Sequence, residues 1–169
     1  MEKEGFPYTG FLYAGVMVDA NGVPKVLEFN CRFGDPETQP IMMRLESDLV
    51  AACLAATEQK LDEVELKFCN QAAVGVVMAA GGYPDAYEKG KVISGIPAEG
   101  TDTLKVFQAG TELKDGQILT NGGRVLCVTA LADTVTAAQT KAYSLVKDIT
   151  WENVYYRTDI AHRAIKREQ

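Results

Sequence analysis

The first sixty residues alternate between apolar runs and turn signals in a pattern that predicts a β-hairpin. Residues 10–19, GFLYAGVMVD, are almost wholly apolar, which is typical of a strand buried on both faces. An Ala-Asn-Gly turn at residues 20–22 separates them from a second strand over residues 24–30. Because Asn-Gly favours tight turns between strands, the two runs predict a hairpin.

Two helices are predicted after this hairpin. Asp35 is expected to cap a helix that begins at Pro36, because proline suits the first helical position, and Pro40 is expected to end or bend it. Ser47 followed by Asp48 offers a second cap. Apolar positions from residue 49 onward predict a helix that reaches about Gln59.

A charged, irregular stretch over residues 60–71 marks a domain boundary, so that residues 1–67 are expected to form one domain and residues 68–169 a second. Strands of the second domain are predicted at residues 72–80, 91–94, 103–109 and 124–132. Thr134 is expected to cap a helix to about residue 149, and a basic helix follows near residues 159–166. The predicted class is α+β, with a small mixed β-sheet and helices in the second domain.

Composition and charge exclude several classes of partner. Hydrophobic residues make up 47% of the 169 residues and charged residues 24%, which is ordinary for a globular protein with a core. The net charge of −6 argues against a nucleic-acid partner, and no apolar run suits a membrane helix. The first ten residues lack a secretory pattern. Four widely spaced cysteines argue against a zinc site or a disulfide framework, and they fit a cytoplasmic location.

The end of the second strand carries the candidate chemistry. Glu28 and Asn30 are two residues apart, so they are expected to project from one face of the strand, with Arg32 just beyond it. A carboxylate beside a carboxamide oxygen suits Mg²⁺, which usually completes its ligand shell with water and nucleotide phosphates. Arg32 has the forked donor set that matches a phosphate or acyl-phosphate oxygen. The pattern therefore indicates a platform for Mg–ATP.

The same residues also have a plainer interpretation. Glu28 could be a solvated charge at an exposed strand end, and Asn30 could be a turn former. Arg32 and Asp35 could form a surface ion pair worth under ~1 kcal/mol. Spacing alone does not decide between the two interpretations.

Four segments, LEFNCRFGDPETQ, GGYP, NGGRVLCVTA and YRTDIAHRAI, resemble in this order the phosphoribosylamine–glycine ligase (glycinamide ribonucleotide synthetase) family of the ATP-grasp superfamily. The resemblance extends over essentially the whole chain. It implies that residues 1–67 are the second half of an ATP-grasp domain, an antiparallel sheet with helices, and that residues 68–169 are the family's C-terminal domain. The N-terminal part of the same protein is then expected to be a missing partner of this chain.

The resemblance also implies a role for each residue of the first motif. Glu28 and Asn30 match the ligands of the Mg²⁺ or Mn²⁺ that bridges ATP phosphates, and Leu27 matches an apolar residue near the nucleotide. Arg32 is expected to act on the transferred phosphoryl group or the acyl phosphate. The amine-substrate side of the site is expected to include Gly34, Asp35, Pro36 and Glu37.

The implied reaction is the ATP-dependent ligation of glycine to 5-phosphoribosylamine through glycyl phosphate, a step of purine biosynthesis. Two alternatives remain: another ATP-grasp carboxylate–amine ligase of purine synthesis, and a non-catalytic binding module. One departure from the superfamily is the apolar run at residues 15–17, where many ATP-grasp relatives carry a further acidic metal ligand. We expect the isolated chain to lack ligase activity and to bind Mg–ATP weakly or not at all.

Overall fold

Residues 1–168 are described by a computed structural model in which the chain divides into two units. The first, which we call the hairpin unit, comprises residues 1–38 and 45–68. The second, the sheet unit, comprises residues 39–44 and the chain from Cys69 onward. Both helices and antiparallel sheets are present, so the α+β class is confirmed.

The hairpin unit is built on strands β1 (Tyr13–Val18) and β2 (Pro24–Asn30), which pair antiparallel and confirm the predicted hairpin. The second strand has the predicted bounds. The expected burial of the first strand on both faces is wrong, because β1 and β2 form a two-stranded sheet whose apolar side chains are largely exposed. The exposed side chains include Val16, Val26 and Phe29.

The first helix, α1 (Thr38–Arg44), begins two residues later than predicted. Residues 35–37 form a turn instead, and Thr38 donates both its backbone N–H (3.1 Å) and its hydroxyl (2.6 Å) to the Gly34 carbonyl. The expected capping by Asp35 of a helix that begins at Pro36 is therefore wrong. Pro40 lies in the first turn, where proline removes no intrahelical hydrogen bond, and the helix continues beyond it.

The second helix, α2 (Leu49–Thr57), has the predicted cap. The Asp48 carboxylate accepts hydrogen bonds from the N–H groups of Val50 (2.8 Å) and Ala51 (3.3 Å). The helix ends two residues before the predicted Gln59, which has a left-handed φ of 59°. A short 3₁₀ turn, Leu61–Glu63, follows within the charged stretch.

The sheet unit contains a four-stranded antiparallel sheet, whose strands in spatial order are β4 (Leu104–Gln108), β7 (Arg124–Ala132), β3 (Ala72–Ala79) and β8 (Tyr155–Tyr156). The two central strands, β3 and β7, match the prediction within one residue, and β4 lies inside its predicted range. Helix α3 (Val135–Val146) packs against both central strands. The fully buried core side chains include Val76, Met78, Val125, Val128, Ala130, Ala138, Ala142 and Val146.

Several parts of the sheet unit differ from the prediction. A second hairpin, formed by β5 (Thr111–Lys114) and β6 (Gln117–Thr120), and the two-residue strand β8 (Tyr155–Tyr156) were not predicted. Residues 91–94 do not form a continuous strand. Val92 and Ser94 each form one isolated bridge, to Leu119 and to Thr150 respectively. Helix α4 (His162–Glu168) begins three residues later than predicted. Within residues 1–168, no helix combines the length and apolarity needed to cross a bilayer.

Two side chains satisfy the N-terminus of α3. The Thr134 hydroxyl accepts from the N–H of Ala137 at 3.1 Å, as predicted. The carboxylate of Glu168 at the end of α4 accepts from the N–H groups of Val135 (2.7 Å) and Thr136 (3.2 Å). Because helix N-termini leave N–H groups without intrahelical acceptors, Glu168 fastens α4 to α3.

Replacing Glu168 by glutamine is expected to lower the thermal stability of the chain in a pH-dependent way. The hydrogen bond from the Val135 N–H holds the pKa of Glu168 below its ordinary value of 4.5. A lowered pKa means that the stabilisation is present above that ordinary value and is lost as pH falls through the folded-state pKa. Thermal unfolding followed by circular dichroism should therefore show a difference in melting temperature between wild type and Glu168→Gln near neutral pH, and this difference should shrink as the pH falls below the ordinary value of 4.5. Glu99→Gln, at an exposed loop position, is the control, and a difference of constant size would contradict the capping role.

Candidate functional site

The hairpin register places the candidate metal ligands side by side. Asn30 pairs with Tyr13 and Glu28 pairs with Gly15, so the four residues lie two apart on both strands and share one face. A Cβ at Gly15 would lie 3.0 Å from the Glu28 Cγ, so Glu28 lies across the space that a side chain there would occupy. Gly15, the residue opposite Glu28, thus leaves space for the glutamate side chain and offers no further acidic group.

A β-bulge lies directly beside Glu28. Val26 pairs with Val16 and Glu28 pairs with Gly15, which leaves Leu27 as an extra residue without a partner on β1. The Leu27 side chain is 65% exposed. Bulges bend a strand and re-aim its side chains, and they are common beside functional sites. The bulge therefore sets the direction of the strand end that carries Glu28 and Asn30.

Arg32 lies just beyond the end of β2 and is exposed. One of its terminal nitrogens donates to the Phe33 carbonyl at 2.9 Å, so the side chain folds back along its own backbone. The Phe33 ring packs against Phe11 with centroids 4.3 Å apart. This ring contact anchors the chain as it leaves the hairpin.

The turn after Arg32 brings Glu37 towards the hairpin. The Glu37 carboxylate lies so close to Gly34 that no side chain would fit there without movement of the glutamate. Tyr13 donates its hydroxyl to the Glu37 Oε1 at 3.4 Å, a long hydrogen bond between residues 24 positions apart. Asp35 and Pro36 lie in the same turn, Asp35 exposed and Pro36 half-buried.

Tyr13 is a site residue that the sequence reasoning missed. The negative charge of Glu37 is the main cause that raises the pKa of Tyr13, with smaller contributions from partial desolvation and from the charge of Glu28. The negative charges of Glu37 and Glu28 thus both raise the pKa of the Tyr13 hydroxyl. No local sequence pattern points to this contact, because Tyr13 and Glu37 are 24 positions apart. The only indication in the sequence is the position of Tyr13 two residues before Gly15, which places both residues on the same face of the facing strand.

The donor set favours a hard cation. Glu28 offers a carboxylate and Asn30 a carboxamide oxygen, and oxygen ligands are those that Mg²⁺ and Mn²⁺ take in such sites. Among the described residues, no three His, Cys, Asp or Glu side chains form a group able to hold a metal ion. The pair therefore fits a cation that draws its remaining ligands from phosphates and water rather than from an all-protein cage.

Comparison with known proteins agrees with this fold. The family model described as the phosphoribosylglycinamide synthetase ATP-grasp (A) domain matches residues 1–38, and the model of the phosphoribosylglycinamide synthetase C domain matches residues 73–163. The fold and the matches define a protein that joins part of an ATP-grasp domain to a C domain. The chain belongs to the phosphoribosylglycinamide synthetase family.

Curated relatives match the whole chain. The phosphoribosylamine–glycine ligase of Vibrio vulnificus (strain CMCP6) is 63% identical over 169 residues, which are 100% of this chain and 39% of the relative. The enzyme of the same name from Escherichia coli (strain K12) is 61% identical over 170 residues, 100% of this chain and 40% of that protein. The crystal structure of phosphoribosylamine–glycine ligase from Thermotoga maritima has a TM-score of 0.78 at 45% identity, covering 94% of this chain and 38% of that one. The chain thus spans about two-fifths of these relatives.

Proposed function

We propose that this chain belongs to a ligase that joins glycine to 5-phosphoribosylamine with ATP, through glycyl phosphate, in purine biosynthesis. The observation that carries the proposal is the shared face of Glu28 and Asn30 in a chain whose relatives of that name are 60–63% identical. Residues 1–67 would supply one wall of an ATP-grasp cleft and residues 68–169 the C-terminal domain. The rest of the cleft would come from the N-terminal part of the same protein.

Within this proposal, Glu28 and Asn30 would hold the Mg²⁺ or Mn²⁺, which when bound neutralises charge on the ATP phosphates. Arg32 would stabilise the charge that grows on the transferred phosphoryl group, because its guanidinium stays protonated and matches oxygen pairs. Leu27, exposed on the bulge, would pack near the nucleotide. No nucleophilic side chain is required, because the acyl phosphate is attacked by the amine substrate.

The turn after Arg32 would serve the amine substrate. The substrate-binding segment is proposed to comprise Gly34, Asp35, Pro36 and Glu37. The hydrogen bond from Tyr13 to Glu37 supports this, since it ties a carboxylate of the turn to the strand that faces Asn30. A carboxylate held in this way can bind an amine or ammonium group through a charge-assisted hydrogen bond.

The two alternatives have less support. Another carboxylate–amine ligase of purine synthesis is disfavoured, because the relatives quoted above carry the name phosphoribosylamine–glycine ligase. A non-catalytic module is disfavoured because both candidate ligands and Arg32 are present. A cytoplasmic location is supported by the free thiols of Cys31, Cys53, Cys69 and Cys127, as expected in a reducing compartment.

A chimera tests the proposal. These 169 residues replace the matching part of the Escherichia coli relative, with the isolated chain assayed beside the chimera. We expect the chimera to release phosphate from ATP only when glycine and 5-phosphoribosylamine are both present, and the isolated chain to release none. Phosphate release that does not depend on glycine would favour a different ligase. A folded but inactive chimera would favour the non-catalytic module.

A further inference from the structure

A cavity of about 320 Å³ lies in the sheet unit. Its walls come from three segments: residues 80–81 just after β3, the stretch between residues 86 and 91, and the turn at residues 151–153. Proteins bind small molecules in pockets of about 300–1,000 Å³. The cavity is therefore large enough to hold a small organic ligand.

The segments that form the walls are fixed by close contacts. A Cβ at Gly81 would lie 2.6 Å from the Asn153 carbonyl oxygen, so the turn at residues 151–153 lies directly against the end of β3. The Lys91 N–H donates to the hydroxyl of the buried Thr120 at 3.1 Å, and the Lys91 carbonyl accepts from the Thr120 N–H at 2.9 Å. The walls are therefore held by strands β3 and β6.

Three charged side chains line the cavity. The Lys91 Nζ lies 2.7 Å from the Oε2 of Glu88 and 2.7 Å from the Oε2 of Glu152. The hydrogen bonds to Glu152 and Glu88 raise the pKa of Lys91, so this group stays an ammonium at neutral pH. Two carboxylates and one ammonium give the three side chains one net negative charge.

Each of these charged groups can bind a further partner. An ammonium has three N–H donors, and the two glutamates use two of them. Among residues 1–168, Glu88 and Glu152 form no other hydrogen bond or ion pair, so each keeps one carboxylate oxygen able to accept. The two side chains are 76% and 65% exposed, which leaves them open to a ligand.

Trp151 supplies another hydrogen-bond donor. Its side chain lines the cavity and is only 5% exposed. Within residues 1–168, the indole Nε1–H has no hydrogen-bond partner. Buried indole N–H groups usually have one, supplied by the protein or by another molecule. A molecule bound in the cavity can bring the missing acceptor.

We propose that this cavity binds an α-amino acid with an apolar side chain. The ammonium group of the ligand would donate to Glu88 and Glu152, and its carboxylate would accept from Lys91 and Trp151. A zwitterion meets both requirements and adds no net charge to the cavity. The apolar side chain would pack against the remaining wall, which includes Ala80, Ala86 and Tyr87. The proposal does not rest on the proposed function, because none of these residues has a role in it.

Fluorescence of the 169-residue chain tests the site, because Trp151 is the only tryptophan in the sequence. L-leucine is the probe, and we expect a saturable change in the tryptophan emission. Isoamylamine is leucine without its carboxylate, and isocaproate is leucine without its amino group. Each lacks one of the two charged groups, so each should bind at least about tenfold more weakly than L-leucine.

Two variants identify the residues that bind the ligand. Glu152→Gln removes one carboxylate charge and should weaken L-leucine binding by about tenfold. Glu112→Gln, at an exposed position of β5, is the matched control and should leave binding unchanged. Trp151→Phe removes the indole N–H and should weaken binding by about twofold to tenfold, measured by calorimetry because the variant has no tryptophan. Circular dichroism checks that each variant keeps the fold.

Four results would overturn the proposal. The first is the absence of any fluorescence change or heat at millimolar L-leucine. The second and third are binding of isoamylamine or of isocaproate as tight as that of L-leucine, which would indicate a site for a simple cation or a simple anion. The fourth is an equal loss of binding in folded Glu152→Gln and Glu112→Gln, which would indicate that the overall charge rather than the cavity determines binding.

Discussion

Replacing Glu28 by glutamine in the chimera is expected to lower the rate of ATP-dependent ligation by about 100-fold and to raise the Mg²⁺ concentration required. Glutamine keeps the size of the side chain but removes the negative charge that a divalent cation needs. Because Glu28 is exposed and lies over Gly15, the substitution should leave the hairpin intact. Steady-state rates measured across a Mg²⁺ titration test this expectation.

The isolated chain allows the same substitution to be tested without turnover. Mn²⁺ should broaden the NMR signals of residues near Glu28 and Asn30 in the wild-type chain, and this broadening should be lost in Glu28→Gln. Glu28→Asp, which keeps the charge, should retain part of it, and Glu4→Gln, at an exposed position, should behave like wild type. An unchanged Mg²⁺ requirement in Glu28→Gln would show that the metal lies elsewhere.

Replacing Met78 by alanine is expected to destabilise the sheet unit by about 2–5 kcal/mol. Met78 is 0% exposed in central strand β3, so the smaller side chain leaves a cavity that the close-packed core cannot fill. Met17→Ala is the matched control: Met17 is 53% exposed in β1, and its loss should cost under about 0.5 kcal/mol.

Urea unfolding followed by circular dichroism measures both methionine variants. A similar loss in both would mean that the hairpin face carrying Met17 is packed in solution. A negligible loss in Met78→Ala would mean that β3 is not the centre of the core.

Elements with a strong local signal were predictable from the sequence. Strands β2, β3 and β7 lie within one residue of their predicted bounds, because their apolar runs are long and end at clear turn residues. The caps Asp48 and Thr134 were also predictable, since each side chain bonds N–H groups two or three residues ahead.

Elements that depend on distant partners were not predictable. Strand β8 has two residues and exists because Tyr156 pairs with Met78, which is far away in the chain. The hairpin of β5 and β6 has four residues in each strand, too few for a clear alternation, although its Asp115-Gly116 turn is a hairpin signal.

The candidate site was likewise only partly predictable from the sequence. The two-residue spacing of Glu28 and Asn30 indicated a shared face, and the strand pairing agrees with it. The bulge at Leu27 and the hydrogen bond from Tyr13 to Glu37 depend on the facing strand and on a later turn, so no local pattern contains them. The roles of these residues in binding stay predictions until the variants above are measured.

The extra residue at Leu27 determines which side chains lie on each face of the β1–β2 hairpin. An unbroken ladder would pair Leu27 with Gly15 and Glu28 with Ala14, because each position would advance by one. The carboxylate would then lie among valines, and Phe29 would lie opposite Tyr13. The one extra residue therefore keeps Glu28 and Asn30 on a different face of the hairpin from the valines. Inserting or deleting one residue of β2 between the turn and Glu28 would move Glu28 and Asn30 to the apolar face.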